Sequence, residues 1–424
     1  MNYNDSTSAW EETAVAPPAT SPLASSAACD VAVVGAGYTG LNAALTLAEA
    51  GKSVIVLDAA NLGQGASGRN GGQVVPGLKH DPEVLLRMEG SRRLLDFAAG
   101  CADELFAFIG RRRLNCDAVQ SGWLQPAATR AQLRVVTRRA EQWRRARDVP
   151  VSILGRDEVR ALTGTDAYVG GWLDPRGGSL QPLSYVRELA RLALAAGASL
   201  HTRTAVDGLR QAGGGWEVAA GPLGVSAAQV IVATNGYAGR LIRGLSEAFF
   251  PAHSVQIATE PLPAAVRAGI LPSGLVVSDA RRLLKYFRLD RDGRFIIGGR
   301  GSFGAVEDGR HFEALRSVAI RMFPALREVR WSHRWAGRIA LTPDHLPHLH
   351  NPAPGLYAAL GYNGRGVAMA SRTGVLLAEL CLGRPHRDSP LPVSPVSPIP
   401  FHAFRRPAME AAVAWYRLLD RVGA

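Results

Sequence analysis

Hydrophobic positions change their spacing along this chain, and the changes mark out its elements. A short unbroken apolar run, Val31-Ala-Val-Val34, ends in glycine, as a strand buried on both faces does. Leu41, Ala44, Leu45, Leu47 and Ala48 then recur at helical spacing. Gly51 is placed to close that helix. A second apolar strand, Ser53 to Leu57, ends at Asp58. Strand, helix and strand within about thirty residues is the size of a βαβ unit.

The same reading predicts helices over 82–111, 129–147, Tyr185–Ala196 and Val367–Leu382. Strands are expected at Ser199–Val206, Trp216–Ala219, Val225–Ala233 and Leu356–Leu360, with mostly strand from 251 to 300, including Lys285–Leu289 and Arg294–Ile297. Glycine-rich loops occupy 61–77 and 361–366. The Pro-rich stretch 385–400 reads as a linker. Residues 407–422 form an amphipathic closing helix, suited to packing on the protein body or to contact with a membrane surface. No window approaches the roughly 20 apolar residues of a membrane span. There is no internal repeat.

Composition narrows the function classes. The 424 residues are 47% hydrophobic and 20% charged, ordinary for a chain that buries large cores in two domains. The first 29 residues are polar and lack a secretory signal, so a partly ordered arm on a cytoplasmic protein is expected. Cys29, Cys101, Cys116 and Cys381 form no CxxC pair, so neither a zinc site nor a disulfide framework is suggested. Net charge is +12, and 45 of the 48 basic residues are arginine, the lysines being Lys52, Lys79 and Lys285. The densest run, Arg130 to Arg147, lacks interleaved stacking aromatics and reads as a solvated helix face rather than a nucleic-acid stripe. The charge does favour an anionic small molecule. His345, His348 and His350 straddle Pro347 in a loop and do not make a metal site; no metal is expected.

The chemistry begins at Gly35-Ala36-Gly37-Tyr38-Thr39-Gly40, a G-x-G-x-x-G between strand and helix. Gly35 permits the tight turn, Gly37 lets a pyrophosphate approach the backbone, and Gly40 lets helix and strand pack closely. The helix N-terminus offers free N–H groups to phosphate. Asp58, 18 residues after Gly40, can accept hydrogen bonds from ribose hydroxyls and disfavours a 2′-phosphate. This predicts a bound dinucleotide without separating FAD from NAD.

Four segments extend the pattern: Gly35 to Asp58; Gly65-Ala-Ser-Gly-Arg-Asn-Gly-Gly-Gln73; Trp335-Ala-Gly-Arg-Ile-Ala-Leu-Thr-Pro-Asp344; and Gly361-Tyr-Asn-Gly-Arg-Gly-Val-Ala-Met369. Together they resemble the FAD-dependent amine oxidoreductases of the D-amino acid oxidase superfamily, which includes glycine and sarcosine oxidases. The second segment is most similar to the gamma-glutamylputrescine oxidoreductase branch. The resemblance implies an α/β, two-domain architecture: a Rossmann-like FAD-binding domain intertwined with a mostly antiparallel β-sheet substrate domain. The expected FAD-binding parts are 30–80, 150–245 and 336–384, and the substrate parts are 81–149 and 246–335. An arm (1–29) precedes them; the linker and closing helix (385–424) follow. It also implies that Ala59, Ser67, Arg69, Asn70, Gly71, Gly72, Val206, Ala233, Thr234, Asn235, Gly337, Gly361, Asn363, Gly364 and Gly366 contact the cofactor. Arg365 and the helix that follows would stabilise negative charge on reduced flavin.

This chain departs from those relatives at informative places. Gly337 stands where some attach flavin to cysteine, so non-covalent FAD is expected. Ala368 and Gly77 stand where a basic pair holds a small carboxylate, which disfavours a simple glycine-like substrate. Ile296 stands where a lysine assists reaction with oxygen, and Lys285 is the only nearby substitute considered. The implied reaction is hydride transfer from a neutral amine to flavin, giving an imine and then an aldehyde, with O2 reoxidation to H2O2. Tyr286, Trp335, Tyr362 and Arg365 are the candidate pocket residues, with His253 and Gln256 as polar additions; aromatic walls suit an alkyl-ammonium chain. Two other readings stay open: a same-fold dehydrogenase or natural-product tailoring enzyme using another acceptor, and a non-catalytic dinucleotide-binding protein. No second glycine fingerprint supports a flavin monooxygenase.

Overall fold

A computed structural model describes residues 8–88, 90–301 and 309–422. The apolar run at Val31–Val34 becomes the buried half of the strand Ala27–Val34. That strand runs parallel to Val54–Leu57 on one side and Leu223–Val232 on the other. Ser199–His201 and Leu356–Leu360 extend the parallel array outward. The antiparallel strands Gly208–Ala212 and Gly215–Ala220 branch from Leu223–Val232. Parallel strands need cover on both faces. The helices Tyr38–Glu49, Pro182–Ala195 and Gly366–Cys381 supply one cover, and their apolar residues share one core with Val31, Val33, Val54 and Val56. The first and last of these helices touch so closely that a Cβ on Gly374 would lie 2.3 Å from the Thr39 carbonyl oxygen.

A second sheet runs in the order Trp331–Leu341, Phe250–Pro261, Arg294–Arg300, Tyr286–Leu289, Val276–Ser278, Trp123–Ala127, Gly170–Asp174 and Ser152–Gly155. It is antiparallel except where Val276–Ser278 meets Trp123–Ala127. Phe323 packs edge to face on Phe287 at 5.8 Å and on Phe295 at 5.5 Å, two sheet residues whose own rings are tilted at 5.9 Å, and the helix Gly309–Met322 shares this core. The chain is therefore a mixed α/β protein of two domains.

Several local expectations need correction. The helix expected over 82–111 is two, Pro82–Leu85 and Ser91–Arg112, because Gly90 turns the chain at φ +65°. The strand expected over Ser199–Val206 stops at His201; Arg203 adopts φ +52°, and Thr204 N–H donates to the Asp58 carbonyl at 2.8 Å. Residues 152–155 and 170–174 pair in the second sheet, not in the cofactor-binding part to which 150–245 was assigned. Trp331–Leu341 crosses the expected boundary at 336 as one continuous strand.

Among the described residues, neither the arm nor the Pro-rich segment is a loose attachment. In 385–400, Leu391 is buried and Val393–Ser394 pairs with Leu349–His350. The first seven residues of the arm lie outside the described residues. Beyond them Trp10 is fully buried, and the arm's last residues already form the central strand.

Candidate functional site

The end of the strand Ala27–Val34 sets one pole of the site. Gly35 takes φ +105°, and a Cβ there would lie 3.0 Å from the Ala233 carbonyl oxygen. At Gly40 a Cβ would fall 1.9 Å from the Gly35 carbonyl oxygen, so no side chain fits. The following helix is capped by Gly37, which has no capping side chain. Ser67 Oγ accepts from Tyr38 N–H at 3.1 Å, and Tyr38 and Thr39 of the first turn line the open space in front of it. At the end of the neighbouring strand, Asp58 accepts from Ala36 N–H at 2.7 Å and Ala60 N–H at 2.9 Å. Each oxygen keeps a lone pair for a ligand. Burial raises the Asp58 pKa, and the two amides oppose that rise.

From this pole a cavity of about 740 Å³ runs between the two sheets, well within the range of ligand pockets. Gly35, Ala36, Gly37, Tyr38, Thr39, Asp58, Ala59, Val206, Ala233, Thr234 and Asn235 line its first part. Ser67, Arg69, Asn70, Gly71 and Gly337 line its middle, while Tyr286, Tyr362, Asn363, Gly364, Arg365 and Gly366 line its far part. His253 and Gln256 join them.

The early glycine loop is held by its own polar groups. Asn70 Nδ2 donates to the Ser67 carbonyl at 2.8 Å, and Asn70 Oδ1 accepts from Gly72 N–H at 2.8 Å. Arg69 Nε donates to the Ala336 carbonyl at 2.6 Å, tying the loop to the second sheet. In the late loop, Asn363 holds a left-handed turn at φ +53° and bonds both Thr342 N–H and Oγ1. Tyr362 OH meets Thr39 Oγ1 at 2.6 Å, which fixes the late loop to the first helix. Arg365 donates to the Pro76 carbonyl at 2.6 Å and stacks over Trp123 at 5.4 Å. Burial, with Arg139 nearby, lowers its pKa to about 10.

Four expected contact residues lie behind the cavity wall. Gly40 is sealed against Gly35. Gly72 gives its carbonyl to Arg288, and a Cβ there would lie 2.3 Å from the Leu180 carbonyl oxygen. Gly361 N–H is taken by Asn235 Oδ1 at 3.0 Å. Trp335 is fully buried, donates to the Arg69 carbonyl at 3.0 Å and meets Trp10 edge to face at 5.9 Å. It supports the early loop from behind and is not a pocket wall.

The structure also assembles residues that sequence reasoning missed. Trp123, Gln125, Arg139, Lys79 and Arg300 line the far part. Lys79 is one of three lysines and follows the early glycine loop directly; that rarity was the available signal. Lys285, the expected substitute for a lysine at position 296, does not line the cavity and donates to the Leu283 carbonyl at 3.3 Å. The histidines of the 345–350 segment have separate partners: His348 pairs with Asp344, while His350 Nδ1 meets the Ser394 carbonyl, the two rings touching edge to face at 5.6 Å.

The lining fits an extended dinucleotide. The first part has the glycine cradle and the acid; a Cβ on Gly37 would fall 2.9 Å from Ser67 Oγ. Thr234 Oγ1 and Gln256 Oε1 are buried and have no hydrogen-bond partner among the described residues, although buried polar atoms normally have one. Both residues line the cavity.

Comparison with known proteins agrees with this geometry. Residues 30–380 match the model of the FAD dependent oxidoreductase family. The chain is 32% identical over 406 residues to gamma-glutamylputrescine oxidoreductase of Escherichia coli strain K12, covering 95% of each. It is 26% identical over 366 residues to glycine oxidase of Geobacillus kaustophilus, covering 83% of this chain and 92% of that one. The crystal structure of that glycine oxidase superposes with a TM-score of 0.74 at 22% identity, over 88% of this chain and 99% of the other.

Proposed function

This chain belongs to the FAD-dependent oxidoreductase family, with FAD as its cofactor, and we propose that it oxidises an amine, releasing an aldehyde and passing the electrons to O2 to form H2O2. The observation carrying this reading is the continuous cavity, which joins a nucleotide cradle to a pocket walled by Tyr286, Gln256, Trp123 and Arg365. The similarity to a gamma-glutamylputrescine oxidoreductase over 95% of the chain supports an amine substrate.

When bound, FAD supplies the two-electron acceptor for conversion of a carbon–nitrogen single bond to an imine, which water hydrolyses. The protein's part is placement. Gly35, Gly37 and the open helix end would receive the pyrophosphate, and Asp58 a ribose. Thr234 and Gln256 offer unfilled acceptors. Tyr286 presents a ring face whose hydroxyl is fixed by Ser254 Oγ at 2.7 Å. That wall suits an alkyl-ammonium chain and orients the amine for reaction. No residue need act as a nucleophile.

The FAD is proposed to be non-covalent. Gly337 lines the cavity, and among the described residues no cysteine does. Precipitation with acid should leave yellow supernatant and white pellet; colour kept in the pellet contradicts this. An anaerobic amine panel then tests the reaction. At least one amine should bleach the flavin, colour should return in air, and peroxide should appear. Failure of every amine overturns the proposal. Bleaching without recovery in air would favour the dehydrogenase reading, which is supported by burial of Ile296 and by the position of Lys285 outside the cavity.

A further inference from the structure

The three most exposed large apolar side chains among the described residues all lie between 401 and 415: Phe401 at 83%, Phe404 at 67% and Trp415 at 57%. Single apolar residues on a surface need no explanation, but a cluster marks an interaction site. The closing helix Arg405–Val422 has two unlike sides. Met409, Ala412, Val413, Leu419 and Asp420 are half-buried, and the Asp420 carboxylate accepts from the Arg282 and Leu283 amides, each at 3.1 Å. That side is fixed to the body. On the other side Ala408, Ala411 and Trp415 follow Phe404 at helical spacing, all exposed, so they form one apolar stripe.

Phe401 adds a second sign of function. Its φ is +56°, a left-handed conformation that strains a bulky residue. The next residue holds it there: His402 stacks on Phe250 at 6.2 Å, and its Nε2 meets the Phe249 carbonyl at 3.0 Å. The charge around the stripe is basic. From 401 to 424 the sequence has four arginines and two acids. Asp420 is turned inward, and Glu410 pairs with Arg406 at 3.4 Å. The chain as a whole carries +12.

We propose that this face docks on an anionic lipid surface, with Phe401, Phe404 and Trp415 entering the headgroup region and the helix lying in the interface plane. Among the described residues no helix is long and apolar enough to cross a membrane, so the contact runs along the surface. Aromatic side chains are favoured at that depth, and arginines beside an anionic leaflet add attraction. A second copy of the chain fits less well. Phe404 and Trp415 stand about 16 Å apart along the axis, and only Ala408 and Ala411 fill the stripe between them. Two facing helices would share little apolar core, where a stable pair buries more than about 1,000 Å², and two chains of like charge repel. The docking surface is independent of the reaction assigned above.

The test uses the full-length, FAD-loaded protein with vesicles of phosphatidylcholine alone or phosphatidylcholine mixed with phosphatidylglycerol. The protein should sediment with the mixed vesicles at least ~10-fold more tightly than with neutral ones, and salt should weaken that binding. Phe401→Ser, Phe404→Ser and Trp415→Ser combined should weaken it at least ~10-fold, with flavin content and melting temperature unchanged. Of the eight tryptophans, Trp415 is exposed, Trp331 is half-buried and the other six are buried. Lipids brominated on their acyl chains should therefore quench Trp415 on binding. Trp415→Phe should keep the affinity within about threefold and lose the quenching.

Failure to sediment with mixed vesicles overturns the proposal. Equal binding to both vesicle types overturns the choice of an anionic surface. Binding that survives the triple serine variant, or quenching that survives Trp415→Phe, removes the contact from this helix. A dimer seen by sedimentation velocity without lipid, and lost in the triple variant, would give the face to a second copy and overturn the proposal as well.

Discussion

Tyr286 and Trp335 sit on the same sheet, yet their polar atoms reach different places. Tyr286 lines the cavity, and its ring fits only because its strand neighbour is glycine: a Cβ on Gly298 would lie 2.2 Å from it. Trp335 points its indole N–H at the Arg69 carbonyl, which also accepts from Gln256 Nε2 at 2.6 Å. Trp335→Phe should therefore cost about 1 kcal/mol of stability and leave the apparent amine affinity within about twofold. Tyr286→Phe should cost a similar amount of stability, through the lost Ser254 bond, and also change amine affinity or reduction rate severalfold. Thermal unfolding beside anaerobic flavin reduction separates the two, and a Trp335→Phe variant altered in affinity alone would refute the assignment. The difference was not legible in the sequence. Strand alternation says that neighbours face opposite ways, but which face meets a cavity depends on pairings such as Gln256 with Trp335 and Tyr286 with Gly298. The glycine positions were legible because Gly35 and Gly40 answer to local backbone geometry. Lys79 was not, because the cavity it lines is completed by arginines 60, 221 and 286 residues away.

At the scale of elements, long periodic segments were readable and proline-rich ones were not. The helices Tyr38–Glu49, Arg130–Arg147 and Gly366–Cys381 fall where apolar spacing puts them. The segment 385–400 read as a linker because proline removes donors and helical spacing. An edge strand needs few donors, however, and two residues at 393–394 suffice to pin it. The closing helix, Arg405–Val422, follows from there. Its Asp420 carboxylate accepts from Arg282 N–H and Leu283 N–H, each at 3.1 Å. Arg282 and Leu284 line the cavity, so the helix steadies one wall of the pocket. Asp420→Ala should release those amides. Charge-assisted bonds contribute about 1.5–3 kcal/mol, least where exposed. Hydrogen exchange at Arg282 and Leu283 should thus quicken by roughly 10-fold while FAD content stays constant. Exchange that does not change would show that the helix leaves the loop unsupported.

For the whole molecule, the joint between the two domains depends on a part of the chain that composition assigned to an arm. Its first 29 positions are rich in Ser, Ala and Pro, so nothing in its average character marks Trp10. The partners that bury Trp10 come from distant places. Its indole donates to the Asn70 carbonyl at 2.9 Å, and its own carbonyl accepts from Gln181 Nε2 at 2.7 Å. Arg288 lies over its ring at 5.2 Å, and Trp335 meets its edge. On either side, Glu11 pairs with Arg187 at 2.8 Å, and Glu12 with Arg294 at 2.7 Å. Arg187 belongs to a helix covering the first sheet, and Arg294 to a strand of the second. The short helix Trp10–Thr13 thus clamps both domains behind the glycine loop that lines the cavity. Trp10→Ala opens a cavity at this junction and should cost about 3–5 kcal/mol. Because Asn70 loses its indole donor in the same step, flavin release should move to lower temperature along with global unfolding. Glu12→Ala removes a half-exposed carboxylate and should cost no more than about 1 kcal/mol, with flavin retained. Flavin fluorescence and circular dichroism followed through one thermal ramp decide the matter. Coincident, lowered transitions in Trp10→Ala are expected; a wild-type flavin-release temperature in that variant would mean that the arm stabilises the chain without holding the cofactor loop.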